Sequence, residues 1–256
     1  MTSVAVETGE HMSEAATIAA NEVIEEAPAK KFQVSPERLA RRALVDRENM
    51  KLVRDGKPLY YKFVKRAADI VLSSGALVVL SPVMLGAAIA IMIEDGRPII
   101  YAAPREGFDG KPFKMYKFRS MYRDAESKLK DLLKQNEQTG PAFKIENDPR
   151  ITKVGNFIRK TSIDELPQLV NIIKGDMSIV GPRAIQRTKE FTPHEAQRLL
   201  VKPGLTCYWQ VMGRSRIDWE DWVELDLDYI QDMSVWTDIK IIAKTFGAVL
   251  HGDGSY

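Results

Sequence analysis

The feature that most constrains this chain is an uncharged apolar segment of 24 residues, from Ile70 to Ile93. As one α-helix it would measure about 36 Å, which is enough to cross the hydrocarbon core of a bilayer. Lys65 and Arg66 precede the segment, whereas Glu94 and Asp95 follow it. Because basic residues accumulate on the cytoplasmic flank of membrane segments, this order favours a cytosolic N-terminal side. The segment therefore predicts attachment to a membrane.

Ser81 and Pro82 lie near the middle of this segment. Proline lacks a backbone donor and clashes with the carbonyl four residues earlier, and a preceding serine hydroxyl can bond to the groups that are freed. Three arrangements fit the pattern: a kinked helix that spans the bilayer, a re-entrant helix-break-helix, and a buried helical hairpin in a soluble core. The sequence that follows is rich in Lys and Arg and has no second long apolar run. This favours the re-entrant arrangement over residues 67–95, with both ends in the cytosol.

The formal net charge is only +2, but the charges are unevenly distributed. Residues 1–29 hold six Glu and no Lys or Arg, whereas residues 30–66 hold twelve Lys or Arg against four Asp or Glu. We expect a disordered acidic tail over residues 1–35 and a basic, partly helical lead-in over residues 36–66. The basic helix would be either solvated or laid on anionic lipid headgroups. The first thirty residues lack the features of a signal peptide.

Cysteine and histidine are too scarce for several kinds of site. Cys207 is the only cysteine, and the three histidines are widely scattered. An intrachain disulfide and a four-cysteine zinc site are therefore excluded, and a Ser-His-Asp triad or a multi-histidine metal site is disfavoured. A metal bound here would be a hard cation such as Mg²⁺ on carboxylate oxygens.

The rest of the chain alternates short strand and helix patterns. Strands are predicted at residues 98–101 and 113–118, and helices over residues 124–137 and 166–174. Together they predict a helix-rich α/β fold, in which a compact cytosolic domain over residues 96–256 adjoins the membrane segment. Four aromatic residues near the end belong either to a packed helix pair or to interfacial amphipathic helices: Trp219, Trp222, Tyr229 and Trp236.

Two adjacent carboxylates, Asp164 and Glu165, are the candidate reactive groups. Ser162 and Glu165 match a capping box, which is a purely structural role. With Ser162 as the cap, however, Pro167 would fall at the fifth helical position, where it is costly. A helix that starts at Asp164 would place Pro167 third, among residues whose donors are free anyway. Asp164 would then stand exposed at a helix N-terminus, where the dipole would keep it ionised.

This arrangement suits phosphate chemistry. An ionised Asp164 could attack phosphorus to give an aspartyl-phosphate, and Glu165 could hold Mg²⁺ to shield the repulsion between carboxylate and phosphate. The guanidinium groups of Arg159 and Arg183 could bind phosphate oxygens through a bidentate fork. For each basic residue taken singly, a solvated surface position is the better interpretation.

With these residues in place, the chain resembles the bacterial sugar transferase family, the monotopic polyprenyl-phosphate phosphoglycosyl transferases, over about residues 60–256. The ordered motifs that carry the resemblance are KRAAD (65–69), the Ser81-Pro82 break, KMYKFRSM (114–121), NDPRIT (147–152), SIDELPQL (162–169), KGDMSIVGPR (174–183), KPGLT (202–206) and QVMGR (210–214). The ending at residues 251–256 resembles the hexose-1-phosphate branch, which uses glucose or galactose.

The resemblance implies a mechanism. Asp164 would attack the β-phosphate of a UDP-sugar and release UMP, and polyprenyl (undecaprenyl) phosphate would then take the phosphosugar from the aspartate. Such transfer initiates exopolysaccharide, capsule or other glycoconjugate synthesis. Glu165 would ligate Mg²⁺, and Arg159, Arg183 and Lys117 would bind phosphate.

The resemblance also implies a location. The re-entrant helix would turn at Ser81-Pro82, and the protein would be monotopic on the cytosolic face of the bacterial inner membrane, in contact with membrane lipids. A homodimer is left open. Two other functions compete: a non-enzymatic membrane scaffold of a polysaccharide assembly complex, and nucleic-acid binding through residues 30–66. The second is disfavoured because the basic run abuts a membrane segment and no binding fold accompanies it.

Overall fold

The structure, a computed structural model, describes residues 47–132, 145, 148–185, 191–213 and 217–251. The helices are α1 (Arg47–Asp55), α2 (Leu59–Asp95), α3 (Ala125–Leu132), α4 (Lys153–Lys160), α5 (Gln168–Lys174), α6 (Tyr208–Met212), α7 (Trp219–Asp232) and α8 (Val235–His251). The strands are β1 (Ile100–Glu106), β2 (Pro112–Phe118), β3 (Ser178–Val180) and β4 (Gly204–Thr206). This arrangement confirms the helix-rich α/β prediction. The acidic tail predicted over residues 1–35 lies outside the described residues.

The apolar segment is part of the 37-residue helix α2, which is α-helical through Pro82. The hydroxyl of Ser81 donates to the carbonyl of Val78 at 2.7 Å. This is the carbonyl that Pro82, four residues later, leaves without its usual backbone donor. The predicted break at Ser81-Pro82 is therefore not confirmed, because the serine hydroxyl replaces the missing hydrogen bond and the helix continues.

One narrow stripe of α2 packs against the rest of the protein, while its opposite side is open. Buried positions recur at helical spacing, at Asp69, Ser73, Ala87 and Ile91. The open side carries a row of exposed aliphatic side chains: Val71, Leu72, Val78, Val79, Leu85, Ile89 and Ile93. Among the helices that the structure describes, α2 alone is long and apolar enough to cross a membrane.

Both ends of α2 are attached to the same domain. Near its start, Arg66 donates to the carbonyls of Ile172 and Ile173 at 2.7 and 2.8 Å, at the end of α5. Asp69 accepts hydrogen bonds from the hydroxyl of Ser178 at 3.0 Å and from the amide of Ile179 at 2.9 Å, both in β3. At the other end, Glu94 accepts from the first two amides of α4 at 2.8 and 2.9 Å.

The strands form two small sheets. Strands β1 and β2 make an antiparallel hairpin with Ala103 opposite Met115. The second predicted strand is confirmed, whereas β1 shares only residues 100 and 101 with the first predicted strand and continues to Glu106. Strands β3 and β4 pair in parallel. Ala103 and Met115 pack against Leu169 and Ile172 of α5, so the hairpin and the helix share one apolar core.

The C-terminal helices divide the aromatic residues between core and surface. Trp219, Trp222 and Tyr229 of α7 are buried, as the packed-helix interpretation predicts. In α8, Trp236 and Phe246 are 63% and 68% exposed. The packed-helix interpretation is therefore confirmed for α7, and an interfacial position of α8 stays a prediction.

Candidate active site

The carboxylate pair lies in a tight link between α4 and α5. Ile163–Glu165 form one 3-10 turn, Ser162 before it is left-handed with φ 57°, and the Ser162 side chain makes no cap hydrogen bond. Helix α5 starts only at Gln168, immediately after Pro167. The capping box and the helix start at Asp164 were both wrong, because the reversal at Ser162 ends the preceding helical run and Pro167 provides the entry into the next.

Asp164 is 8% exposed, which contradicts the prediction that it stands in solvent at a helix N-terminus. Burial raises the pKa of Asp164 to about 6; Lys117, Arg159 and Arg183 oppose the increase, whereas Glu165 adds to it. The pKa is therefore raised rather than lowered, since desolvation outweighs the nearby positive charge, but a carboxyl with this pKa is still mostly ionised at neutral pH. Within the described part of the chain, no hydrogen bond or ion pair within 4 Å engages its carboxylate.

Glu165 is held in the opposite way. Its Oε1 accepts from Lys117 Nζ at 2.8 Å and from Arg183 Nη2 at 3.0 Å. Burial opposes ionisation, but the two cations outweigh it and lower the pKa of Glu165 to about 2. The two neighbouring carboxylates thus differ in state: Glu165 is a fixed anion between two cations, and Asp164 is buried but unengaged.

Lys117 reaches the site because β2 is fixed to α5. Asn171 in α5 accepts from the amide of Tyr116 at 2.9 Å and donates to the carbonyl of Lys114 at 2.8 Å. These two hydrogen bonds between the buried Asn171 side chain and the backbone of β2 fix the position of the strand relative to the helix. This helix follows the carboxylate pair directly, so Lys117 and Glu165 are positioned by the same element.

Arg183 is placed by a close backbone contact. A Cβ on Gly204 would lie 2.1 Å from the amide nitrogen of Gly181, so only glycine allows the Gly-Pro-Arg loop to approach β4. The guanidinium of Arg183 then stacks over the Trp209 ring, 5.3 Å from its centroid.

A buried aromatic and ionic cluster supports this arrangement. Trp209 stacks on Trp222 with 4.4 Å between ring centroids. Arg198, itself buried, lies over the ring of Trp222, donates to the Arg183 carbonyl at 2.9 Å and forms an ion pair with Asp226. The orientation of Arg183 is thus tied to the core of the domain.

The predicted phosphate-binding residues come together around the pair. Lys117 and Arg183 contact Glu165, and Arg159, in the last turn of α4, lies near enough to lower the pKa of Asp164. A small cleft of about 70 Å³ opens beside them, lined by Arg105, Met115, Lys117, Glu165, Gln168, Arg183, Ala184 and Gly204.

Arg105 and Gln168 were not predicted as site residues. Gln168 lies three residues after Glu165, but whether its side chain faces the cleft depends on where α5 begins. Arg105 faces the cleft only because β1 pairs with β2 in the observed register, which places it on the same face as Lys117. The alternation of a strand identifies two faces, but it does not say which face meets the active site.

Comparison with known proteins agrees with this geometry. A family model described as bacterial sugar transferase matches residues 60–252. The chain belongs to this family. The galactosyl transferase CpsE of Streptococcus agalactiae serotype III is 51% identical over 165 residues, covering 63% of this chain and 37% of CpsE. The undecaprenyl-phosphate galactose phosphotransferase of Salmonella typhimurium is 45% identical over 202 residues, covering 76% of this chain and 42% of that protein.

A shorter relative matches along most of its length. The exopolysaccharide production protein ExoY of Sinorhizobium fredii is 39% identical over 198 residues, covering 75% of this chain and 88% of ExoY. The matched part of this chain covers only about two fifths of the full length of CpsE and of the Salmonella protein. The resemblance to the bacterial sugar transferase family is therefore confirmed at the level of the family.

The carboxylates of this bacterial sugar transferase also fit the protein's share of a magnesium site. Magnesium keeps several waters and is usually bound through one or two carboxylates together with substrate phosphates. Asp164 and Glu165 supply two carboxylates beside a cleft rich in positive charge. The described residues contain no group of three or more acidic, histidine or cysteine side chains that would hold a metal alone. The donor set thus suits a cation shared with a phosphate substrate.

Proposed function

We propose that this chain transfers a sugar-1-phosphate from a UDP-sugar to polyprenyl (undecaprenyl) phosphate through a covalent intermediate on Asp164. The observation that carries the proposal is the contrast within the pair: Glu165 is engaged by two cations, whereas Asp164 is buried, unengaged and next to a cation-lined cleft. Asp164 can act as a nucleophile because its carboxylate oxygens are not held by other side chains. Glu165 does not compete with it for the phosphate, because its carboxylate is held by Lys117 and Arg183.

In the first step, an Asp164 carboxylate oxygen attacks the β-phosphorus of the UDP-sugar. A phosphorus–oxygen bond forms to the aspartate, the bond to the bridging oxygen breaks, and its electron pair leaves with UMP. Because the Asp164 carboxylate makes no hydrogen bond to described side chains, no such bond opposes the attack. Lys117, Arg159 and Arg183 are near enough to offset the charge of the phosphates.

In the second step, a phosphate oxygen of polyprenyl phosphate attacks the same phosphorus. The bond to Asp164 breaks, the carboxylate is regenerated, and the product is a polyprenyl diphosphate sugar. Mg²⁺ bound by Glu165 would shield the repulsion between the Asp164 carboxylate and the incoming phosphate. Each protein group thereby returns to its starting state.

Two relatives support a hexose as the sugar, since one is named a galactosyl transferase and the other a galactose phosphotransferase. We propose glucose or galactose for this chain. The relative named an exopolysaccharide production protein supports a role at the start of exopolysaccharide, capsule or other glycoconjugate synthesis.

We further propose that α2 enters the inner membrane from the cytosolic face and returns to it. Both ends of α2 bond to the same domain, through Arg66 and Asp69 at one end and Glu94 at the other, which supports a monotopic attachment. A return to the same face requires α2 to bend in the bilayer, and Pro82 is the position in α2 where a backbone hydrogen bond is already missing. The exposed Trp236 and Phe246 of α8 would lie at the headgroups.

The test is release of UMP by the purified chain in phospholipid nanodiscs with undecaprenyl phosphate and Mg²⁺. UDP-glucose, UDP-galactose and UDP-N-acetylhexosamines are compared as donors. We expect turnover with one of the hexose donors and loss of turnover in Asp164→Asn. Full activity in that variant would exclude Asp164 as the nucleophile.

A further inference from the structure

Arg105 lines the cleft, and the two-step mechanism gives it no role. It lies in β1, where Tyr101 pairs with Lys117 and Ala103 with Met115 of β2. Side chains two and four residues apart on a strand share a face, so Arg105 and Lys117 point to the same side of the hairpin. Four residues separate Arg105 from Tyr101, which corresponds to about 13 Å along the strand. The backbone positions of Arg105 and Lys117 are therefore well separated along the hairpin, although both side chains line the cleft.

The three cations of the cleft differ in distance from the nucleophile. Lys117 and Arg183 lie at the Glu165 end, where both donate to the same carboxylate oxygen. Burial lowers the pKa of Arg105, and the charge of Arg183 lowers it further. The charges that affect Asp164 most are those of Lys117, Glu165, Arg159 and Arg183. Arg183 contacts Glu165 and lines the same cleft as Arg105, so it connects the carboxylates to the part of the cleft that Arg105 lines.

We propose that Arg105 binds the α-phosphate of the nucleotide donor, the phosphate that leaves as part of UMP. The inference rests on the proposed function. If the β-phosphorus meets Asp164, the bridging oxygen and the α-phosphate must point away from the nucleophile. In the cleft, that direction leads from Arg183 at the carboxylates to the part that Arg105 lines. A planar guanidinium suits two phosphate oxygens at once.

The same contact acts on the chemical step. When the bond from the β-phosphorus to the bridging oxygen breaks, the electron pair and its negative charge pass to the α-phosphate of UMP. A cation already in place at that phosphate stabilises the charge as it develops. It also binds free UMP, so Arg105 should make UMP a stronger inhibitor than uridine, which lacks the phosphate.

The experiment measures that discrimination without the lipid acceptor. The full-length chain in nanodiscs exchanges isotopically labelled UMP into its UDP-sugar donor, a reaction that a covalent intermediate allows. Inhibition constants for unlabelled UMP and for uridine are measured in the wild type, Arg105→Ala, Arg105→Lys and Arg123→Ala. Arg123 is the matched control, because its side chain is 64% exposed and pairs with Asp95 outside the cleft.

We expect the preference for UMP over uridine to fall about tenfold or more in Arg105→Ala and by less in Arg105→Lys, which keeps the charge but loses the fork. Arg123→Ala should match the wild type. When the complete reaction is measured with the lipid acceptor, the KM for undecaprenyl phosphate should be unchanged in all variants. The ratio does not depend on the amount of folded enzyme, so partial misfolding does not obscure it.

Two results would overturn the assignment. One is a UMP preference in Arg105→Ala within twofold of the wild type. The other is an increase in the KM of Arg105→Ala for undecaprenyl phosphate that is as large as its loss of UMP preference. That result would assign Arg105 to the acceptor. If the wild type instead releases no UMP from any UDP-sugar, the proposed function itself fails, and the wild-type measurement alone reveals this.

Discussion

Asp164→Asn should abolish activity and at the same time stabilise the fold. A free aspartate titrates near 3.9, whereas burial raises the pKa of Asp164 to about 6. The difference of about two pH units corresponds to about 3 kcal/mol, since each unit is worth about 1.4 kcal/mol. This value is net, because the attraction of the nearby cations already contributes to the pKa.

The sign of the effect follows from proton linkage. A carboxyl whose pKa is raised by folding binds a proton more readily in the folded state than in the unfolded state. The Asp164 carboxyl therefore leaves the free energy of unfolding unchanged below about pH 4. It lowers this free energy progressively between about pH 4 and 6, and by nearly its full amount above pH 6. Asparagine has nearly the same shape and no charge, so it removes the cost only where Asp164 is ionised.

The assay is denaturation of the chain in nanodiscs at pH 7.5 and at pH 4. We expect Asp164→Asn to gain up to about 3 kcal/mol in the free energy of unfolding at pH 7.5, or about 6 to 12 °C in Tm, and little at pH 4. A gain of equal size at both pH values, or none at pH 7.5, would refute the argument that burial of an ionised Asp164 is costly.

Glu165→Gln should destabilise the fold by about 3 kcal/mol, opposite in sign to Asp164→Asn, because it leaves the partly buried cations Lys117 and Arg183 without their anion; denaturation measured beside Asp164→Asn tests this. The kcat/KM for UMP release should rise with pH, reach half its maximum near pH 6 and level off above about pH 7, since Asp164 must be ionised to attack, and a flat profile from pH 5 to 7 would contradict it. Trp222→Ala should cost about 3 kcal/mol or more in unfolding free energy and lower kcat, because it removes the stacking support beneath Arg183. The exposed Trp236→Ala should leave stability unchanged and weaken binding to phospholipid vesicles.

The sequence predicts the elements of this fold better than their junctions. The hairpin strands and α5, which ends at the left-handed Gly175, follow from alternation and from glycine. The left-handed Ser162 does not, because serine seldom adopts that conformation. Asp164 follows it in a 3-10 turn and is buried, which the local capping pattern did not predict.

Motif recognition named the candidate site residues but did not predict what they contact. Arg66 and Asp69 in the KRAAD motif attach α2 to the end of α5 and to β3, a role that no spacing rule reveals. Similarly, Glu165 was predicted as a magnesium ligand, yet in the folded chain it also neutralises Lys117 and Arg183. Contacts between elements distant in sequence depend on the tertiary arrangement, and a single sequence carries little information about it.

The central claim is that Asp164 carries the phosphosugar, and mass spectrometry of the enzyme tests it most directly. The chain is incubated with its UDP-sugar and Mg²⁺ without lipid, digested, and the peptide containing Asp164 is weighed before and after undecaprenyl phosphate is added. We predict that this peptide gains one hexose phosphate, loses it on addition of the lipid, and gains nothing in Asp164→Asn. Steady UMP release in the presence of lipid with no adduct on this peptide, or an adduct on another residue, would contradict the account.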